Sequence, residues 1–235
     1  MPTRGNNLKD RGEGVEGRGR RSAPPGPLPP FSLTGAILAG GWSRRLGQDK
    51  ATLTLQGKPL AQWVADALKP LVADLWLVTN HPETHLFLGL PLITDLRPFL
   101  GPLGGLYTAL FYARTPWVLA AAVDAPLLSP ALLAGLAARA ARTRRPLVVC
   151  RSPRGLQPLP GLYSPRLLRR LGEYLKNHRH LVRFLETLRS QELSWEEVQH
   201  LDPEGLSFLN LNTPADLARA APYLAAAGGQ GGQAH

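Results

Sequence analysis

Two kinds of apolar segment alternate between residues 33 and 222, and this alternation constrains the fold more than any other feature of the chain. Short runs, apolar almost throughout, read as buried strands: TGAILAG from Thr34, DLWLVT from Asp74, LPLIT from Leu90, WVLAAAVD from Trp117, PLVVC from Pro146 and LPGLY from Leu159. Longer segments carry apolar residues at helical spacing: PLAQWVADALKPLV from Pro59, GPLGGLYTALFYAR from Gly101 and SPALLAGLAARAART from Ser129. PRLLRRLGEYLKN, HLVRFLETLR and TPADLARAAPYL continue that pattern toward the C-terminus. A strand apolar on both faces needs cover on both sides, which a parallel sheet between helix layers provides. The order of segments therefore predicts an α/β fold with a mostly parallel central sheet flanked by helices. Ser129 and Thr213 are expected to cap their helices, and Pro59 suits a helix start because its missing N–H costs little there. In such a sheet, ligands bind beyond the carboxyl ends of the strands.

At 235 residues the chain can bury one good-sized core. Residues 1–32 lack hydrophobic periodicity and end in a proline cluster, a composition that cannot offset its ordering entropy, so disorder is expected there. Residues 33–225 are expected to form one domain and residues 226–235 a second disordered tail. The single cysteine, Cys150, excludes an internal disulfide framework and a cysteine-rich zinc site. The leader lacks the apolar core of a secretory signal, and the longest apolar candidate, VLAAAVDAPLL, is cut by Asp124. The expectation is a cytoplasmic protein without membrane association.

The formal charge is +10, and it is unevenly spread. From Arg139 to Arg189 there are thirteen Lys/Arg against two Asp/Glu. That span reads either as a solvated arginine-rich surface or as a face that attracts anions, nucleic acid or a phosphate-rich ligand. An RNA-binding arm in the leader is not favoured, because no aromatic residue precedes Phe31.

The stretch LAGGWSRRLGQDK, Leu38 to Lys50, follows the first strand and so lies at the carboxyl edge. Gly40 and Gly41 let the backbone turn sharply and approach a ligand, and successive N–H groups there can form an anion-binding nest. Arg44, Arg45 and Lys50 add positive charge, which suits phosphate. The spacing is that of neither a P-loop nor a dinucleotide fingerprint. By itself the loop also reads as an ordinary glycine turn with surface arginines.

Five motifs in order change that balance. LAGGWSRRLGQDKATLTLQGKPL resembles the signature loop of the molybdenum cofactor guanylyltransferases, a group of molybdopterin nucleotidyltransferases. GPLGGL (Gly101–Leu106), VDAP (Val123–Pro126), QPLPGLY (Gln157–Tyr163) and NLNTPADL (Asn210–Leu217) extend the resemblance over about residues 33 to 222. It implies a Rossmann-like nucleotidyltransferase fold and transfer of GMP from GTP to the terminal phosphate of molybdopterin. Leu38, Ala39, Gly40 and Gly41 would then contact the nucleotide through their backbone, with Arg45 and Lys50 facing its phosphates. Asn80 and Asp95 would line the nucleotide site, and Gly101, Pro102 and Leu103 would support the base. Asp124 would bind Mg²⁺, and Asn212 would sit near the metal or the acceptor. Gln157, Pro158, Tyr163 and Asn210 fall with Asn212 on the acceptor side. Trp42 departs from the pattern, where relatives carry a smaller or polar residue; it shields the base or acceptor, or merely covers the loop.

The chemistry of the residues agrees. Nucleotidyl transfer needs no protein nucleophile, because an acceptor phosphate oxygen attacks the α-phosphorus and pyrophosphate leaves in line. Catalysis is then positioning and charge stabilisation. Asp124 ends an apolar strand, where a carboxylate suits Mg²⁺; a plain helix-start aspartate near Ser129 is its other reading. Lys50 is one of five lysines among 27 basic residues, and a compact ammonium serves as a point charge on phosphate. It could instead simply partner Asp49.

The LAGG form of the loop accompanies GTP users in the family, which favours guanine, although no residue shows a specific contact to the guanine edge. A related transferase using CTP or a sugar-phosphate acceptor is the nearest alternative, and a non-catalytic nucleotide- or RNA-binding protein is a different class. The basic segment falls in the half that receives the pterin by resemblance. Arg151, Arg154, Arg166 and Arg179 are therefore candidates to steer that anion, or a cofactor-biosynthesis or molybdoenzyme-maturation protein that delivers it. His81, His85, His178, His180 and His200 show no metal spacing and read as surface residues.

Overall fold

Every residue of the run Leu33–Leu38 is buried, because this strand lies between two parallel neighbours inside the sheet. The computed structural model describes residues 32–39, 42–43 and 48–228. Seven strands form the main sheet: β1 (Leu33–Leu38), β2 (Asp74–Thr79), β3 (Leu92–Thr94), β4 (Trp117–Ala122), β5 (Leu147–Ser152), β6 (Gly155–Tyr163) and β7 (Gln191–Leu193). Their spatial order is β7-β5-β6-β4-β1-β2-β3. All pairings are parallel except those of β6, which runs antiparallel to both β4 and β5. The cause is the short Pro153–Arg154 link between β5 and β6: a turn of that length joins antiparallel strands, whereas a parallel return needs a crossover.

The side chains of β1 alternate between two cores. Leu33 and Ile37 meet α1 (Leu60–Leu68), α3 (Pro130–Arg142) and α6 (Trp195–Leu201) on one face. Ala36 and Leu38 meet α2 (Pro102–Tyr112), α4 (Leu168–Tyr174) and α5 (Leu181–Glu186) on the other. The expected α/β architecture with a mostly parallel sheet is thus present. A third, smaller cluster joins Leu60 and Trp63 of α1 to Leu211 and to Leu217 and Ala220 of α7 (Pro214–Gly228).

Ser129 caps α3 by accepting from the Leu132 N–H at 3.3 Å, and Thr213 accepts from the Asp216 N–H at 3.2 Å. Three helices differ from expectation. α1 stops at Leu68 and continues as one 3-10 turn, Lys69–Leu71, because Pro70 has no N–H to donate. α5 is shorter than its apolar run. α7 continues to Gly228, inside the stretch expected to be a tail. Ser32, just before β1, is buried. The rest of the two expected tails lies outside the described residues. Among those residues no helix is long and apolar enough to cross a membrane.

Candidate active site

The carboxyl ends of β1, β2 and β4 are tied together by backbone bonds. The Ala39 N–H donates to the Val78 carbonyl at 2.8 Å, and the Val123 N–H donates to the Leu38 carbonyl at 3.2 Å. Asp124 follows directly, and its own carbonyl accepts from the Leu211 N–H, which brings Asn212 beside it. Lys50 arrives from a short antiparallel ribbon in which Trp42–Ser43 pairs with Gln48–Asp49. Its Nζ donates to Asp124 Oδ2 and to Asn212 Oδ1, each at 2.5 Å. The Lys50 and Asp124 side chains are each 15% exposed, so the pair is shielded without being sealed. Leu38, Gly101, Pro102, Val123 and Leu159 complete a cavity of about 240 Å³ around them.

Gly101 has φ +59° and ψ −148°, backbone space that is essentially reserved for glycine, and Pro102 then starts α2. At Gly104 a Cβ would lie 2.3 Å from the Arg97 carbonyl oxygen, so this helix can approach the preceding loop only with glycine there. The two glycines account physically for much of the GPLGGL motif. Leu103 is a correction: its side chain has no exposure and packs in the core beneath the site, so it supports the helix rather than touching a base.

Asn80, just past β2, carries a buried Oδ1 without a hydrogen-bond partner among the described residues. Asp95, just past β3, is buried, and its Oδ1 accepts from the Thr108 hydroxyl at 2.7 Å and the Arg97 N–H at 2.9 Å. That carboxylate braces the 95–97 loop against α2.

The register between β5 and β6 shifts between Gln157 and Leu162, and the chain between them bulges from the ladder. This excursion places Leu159 on the cavity wall, a residue passed over in the sequence although it sits in QPLPGLY. Gln157 donates to Ser152 Oγ at 2.8 Å. Tyr163, expected on the acceptor side, is fully buried; its hydroxyl donates to the Pro158 carbonyl at 2.5 Å. It braces the excursion from below and cannot contact an acceptor. Asn210 is exposed, and its carbonyl accepts from Asn212 Nδ2 at 3.4 Å. Gly40, Gly41 and Arg45, and the Trp42 side chain, lie outside the described residues.

The MobA-like NTP transferase domain family matches residues 35–193. The chain belongs to this family. It is 35% identical over 189 residues to the molybdenum cofactor guanylyltransferase of Yersinia pseudotuberculosis, covering 79% of this chain and 93% of that protein. The structure of molybdopterin-guanine dinucleotide biosynthesis protein A from Archaeoglobus fulgidus superposes with a TM-score of 0.72 at 27% identity, over 82% of this chain and 99% of that one. A nucleotidyl transferase from Methanothermobacter thermautotroptrophicus, at 19% identity and a TM-score of 0.65 over 83% and 99% of the two chains, shares the fold.

In this NTP transferase two groups of residues depart from the sequence reading. His85 is fully buried instead of surface-exposed, because its Nε2 lies 3.0 Å from Asp49 Oδ2; His81, His178, His180 and His200 are exposed as expected. Burial pushes the Asp49 carboxyl up, but the bonds from His85 and the Ala51 N–H outweigh it and hold the group below its ordinary value. The arginines also divide. β5 runs parallel to β4 in the sheet, so Arg151 and Arg154 follow the same edge as Asp124, and Arg151 is engaged with Glu192 at 2.5 Å. Arg166 instead flanks a depression at the opposite edge, beside the amino ends of β4 and β5, with Arg114 and Arg144. It thus lies at the edge of the sheet opposite Asp124. Arg179 closes the end of the α4 region by donating to the carbonyls of Leu175 and His178.

Among the described residues, no cluster of three or more His, Cys, Asp or Glu forms a protein-only metal cage. The donors beside Lys50 are hard oxygens, Asp124 Oδ2 and Asn212 Oδ1, and each already accepts from a cation. This set fits Mg²⁺, which takes one or two carboxylates and completes its shell with phosphate and water.

Proposed function

We propose that this transferase moves GMP from GTP to the terminal phosphate of molybdopterin, releasing pyrophosphate and forming the guanine dinucleotide cofactor. The observation that carries the reading is the convergence of Lys50, Asp124 and Asn212 at the carboxyl edge of the sheet. Guanine and the pterin acceptor follow the name of the relative at 35% identity.

The acceptor oxygen attacks the α-phosphorus as pyrophosphate leaves, and no protein nucleophile is needed. Lys50 turns its ammonium from Asp124 and Asn212 to the phosphates of the entering nucleotide, stabilising charge where it develops. Asp124 would hold Mg²⁺, which would supply charge neutralisation at the phosphates. Asn80 Oδ1 accepts a bond from the nucleoside, which satisfies its buried lone pair. The backbone of Leu38, Ala39, Gly40 and Gly41 contacts the nucleotide, Arg45 faces its phosphates, and Gly101 and Pro102 border the base. Asp95 and Leu103 act from behind by fixing the loop and helix. Gln157, Pro158, Asn210 and Asn212 border the acceptor. Both substrates are water-soluble phosphates, which suits the cytoplasm.

The test is Mg²⁺-dependent pyrophosphate release from GTP, ATP and CTP, each with and without molybdopterin. Release with GTP and the pterin alone is expected. Release with CTP instead overturns the base, and no release with any nucleotide overturns the reaction.

A further inference from the structure

His85 is fully buried, although it sits in a short 3-10 segment, Pro82–Leu88, whose Leu86 and Phe87 are open to solvent. Its Nε2 meets Asp49 Oδ2 at 3.0 Å, while its Nδ1 has no hydrogen-bond partner among the described residues. An ionised carboxylate can only accept, so the proton in this contact belongs to Nε2. The other Asp49 oxygen accepts from the Ala51 N–H at 2.8 Å. The Asp49 carbonyl accepts from the Thr52 hydroxyl at 3.0 Å and the Leu53 N–H at 3.2 Å. Asp49 therefore closes the turn that carries Lys50, and a side chain from beyond β2 holds Asp49 in place.

A buried imidazole with a bare nitrogen is a costly way to fill space, since an aliphatic side chain would pack there without an unsatisfied polar atom. What the imidazole adds is one directed bond. That bond is two short links from the backbone of Lys50: His85 to Asp49, and Asp49 through one peptide to Lys50. We infer that Asp49 and His85 are positioning residues that fix the 49–53 turn so that Lys50 reaches Asp124 and Asn212. Neither touches reacting atoms. On the transferase reading above, the same bracing aims Lys50 at the nucleotide phosphates.

His85→Leu removes the donor and keeps an apolar filling, while His85→Gln retains a donor nitrogen close to the Nε2 position. Asp49→Asn loosens the bond from the other side and serves as the second variant if His85→Leu does not fold. The first readout needs no turnover: full-length protein is treated with a small amine-acylating reagent, and labelling of Lys50 is followed by peptide mass spectrometry. Labelling several times faster in His85→Leu than in wild type is expected, with His85→Gln close to wild type and Lys58, paired with Asp66, as the unchanged reference. The second readout is pyrophosphate release. His85→Leu should lower kcat/KM about tenfold or more in the wild-type background, the scale of a misplaced catalytic group, and add nothing in a Lys50→Ala background. Unchanged Lys50 labelling, or an equal loss in both backgrounds, overturns the inference. Wild-type protein that releases no pyrophosphate would count against the transferase reading, and the labelling result would still decide the positioning claim.

Discussion

The Leu211 N–H donates to the backbone carbonyl of Asp124 at 2.8 Å. Asn212 is thus brought beside Asp124 by main chain, and the side chains that meet Lys50 can be changed without undoing the clip. Lys50→Ala and Asp124→Asn should each fold and lose about 10²–10³ in kcat, the scale of removing one oriented charge from a transition state. Pyrophosphate release and thermal melting, measured on the same preparations, check both halves of this expectation.

Gly104→Ala tests the approach of α2 to the 95–97 loop. The new Cβ would meet the Arg97 carbonyl oxygen at 2.3 Å and Asp95 Oδ2 at 2.9 Å. Backbone must shift to relieve this, at a cost of about 1–3 kcal/mol. Urea denaturation should show the loss, and the KM for GTP should rise because Gly101 and Pro102 move with the helix.

The Asp49 carboxyl lies below its ordinary value in the folded protein. Its deprotonated form is the one the fold favours, so its stabilisation is complete above the unfolded value near 3.8 and is lost as pH falls through the lower folded value. Wild type should therefore exceed Asp49→Asn in stability by a constant amount at neutral pH, with the gap closing below about pH 4. Denaturation curves of both proteins between neutral pH and pH 3 supply the measurement; a gap that widens on acidification would contradict the assignment.

Tyr163→Phe removes the hydroxyl that donates to the Pro158 carbonyl. Leaving that acceptor unpaired should cost about 1–2 kcal/mol. If the excursion between Gln157 and Leu162 borders the acceptor, the KM for molybdopterin should rise while that for GTP stays put. Steady-state kinetics in each substrate separates the two.

Arg154→Glu and Arg166→Glu make a matched pair of charge reversals. Both side chains are exposed, but Arg154 follows the edge of the sheet that carries Asp124 and Arg166 the opposite edge. Arg154→Glu should slow capture of the anionic acceptor, most visibly at low salt, and Arg166→Glu should leave it unchanged. A stopped-flow or kcat/KM comparison at two ionic strengths decides it.

Strands β1, β2, β4 and β5 were legible because each is a short apolar run whose residues are mostly buried, and β3 and the LPGLY half of β6 because they too are short apolar runs. Lys50 and Asp124 were legible because a lysine ending a glycine loop and an aspartate ending an apolar strand both fall at the carboxyl edge. What escaped depended on partners remote in sequence. His85 stands in ETHLFL between polar Glu83–Thr84 and the exposed apolar Leu86 and Phe87, and nothing local reveals that it is buried against Asp49, 36 residues earlier. Tyr163 closes a conspicuous motif, yet only the return of β6 into the sheet decides that its ring faces the core. The β5–β6 reversal was written in the brief Pro153–Arg154 link, and α6 in the Ser194–Glu197 capping box, both of which apolar periodicity alone overlooks.

Asn212 stands 162 residues after Lys50. During synthesis, the lysine and the aspartate emerge long before the residue that completes their arrangement. A chain that stops short of residue 212 therefore holds the two charged members without their third contact, and full occupancy of that contact reports that the fold has closed through this residue.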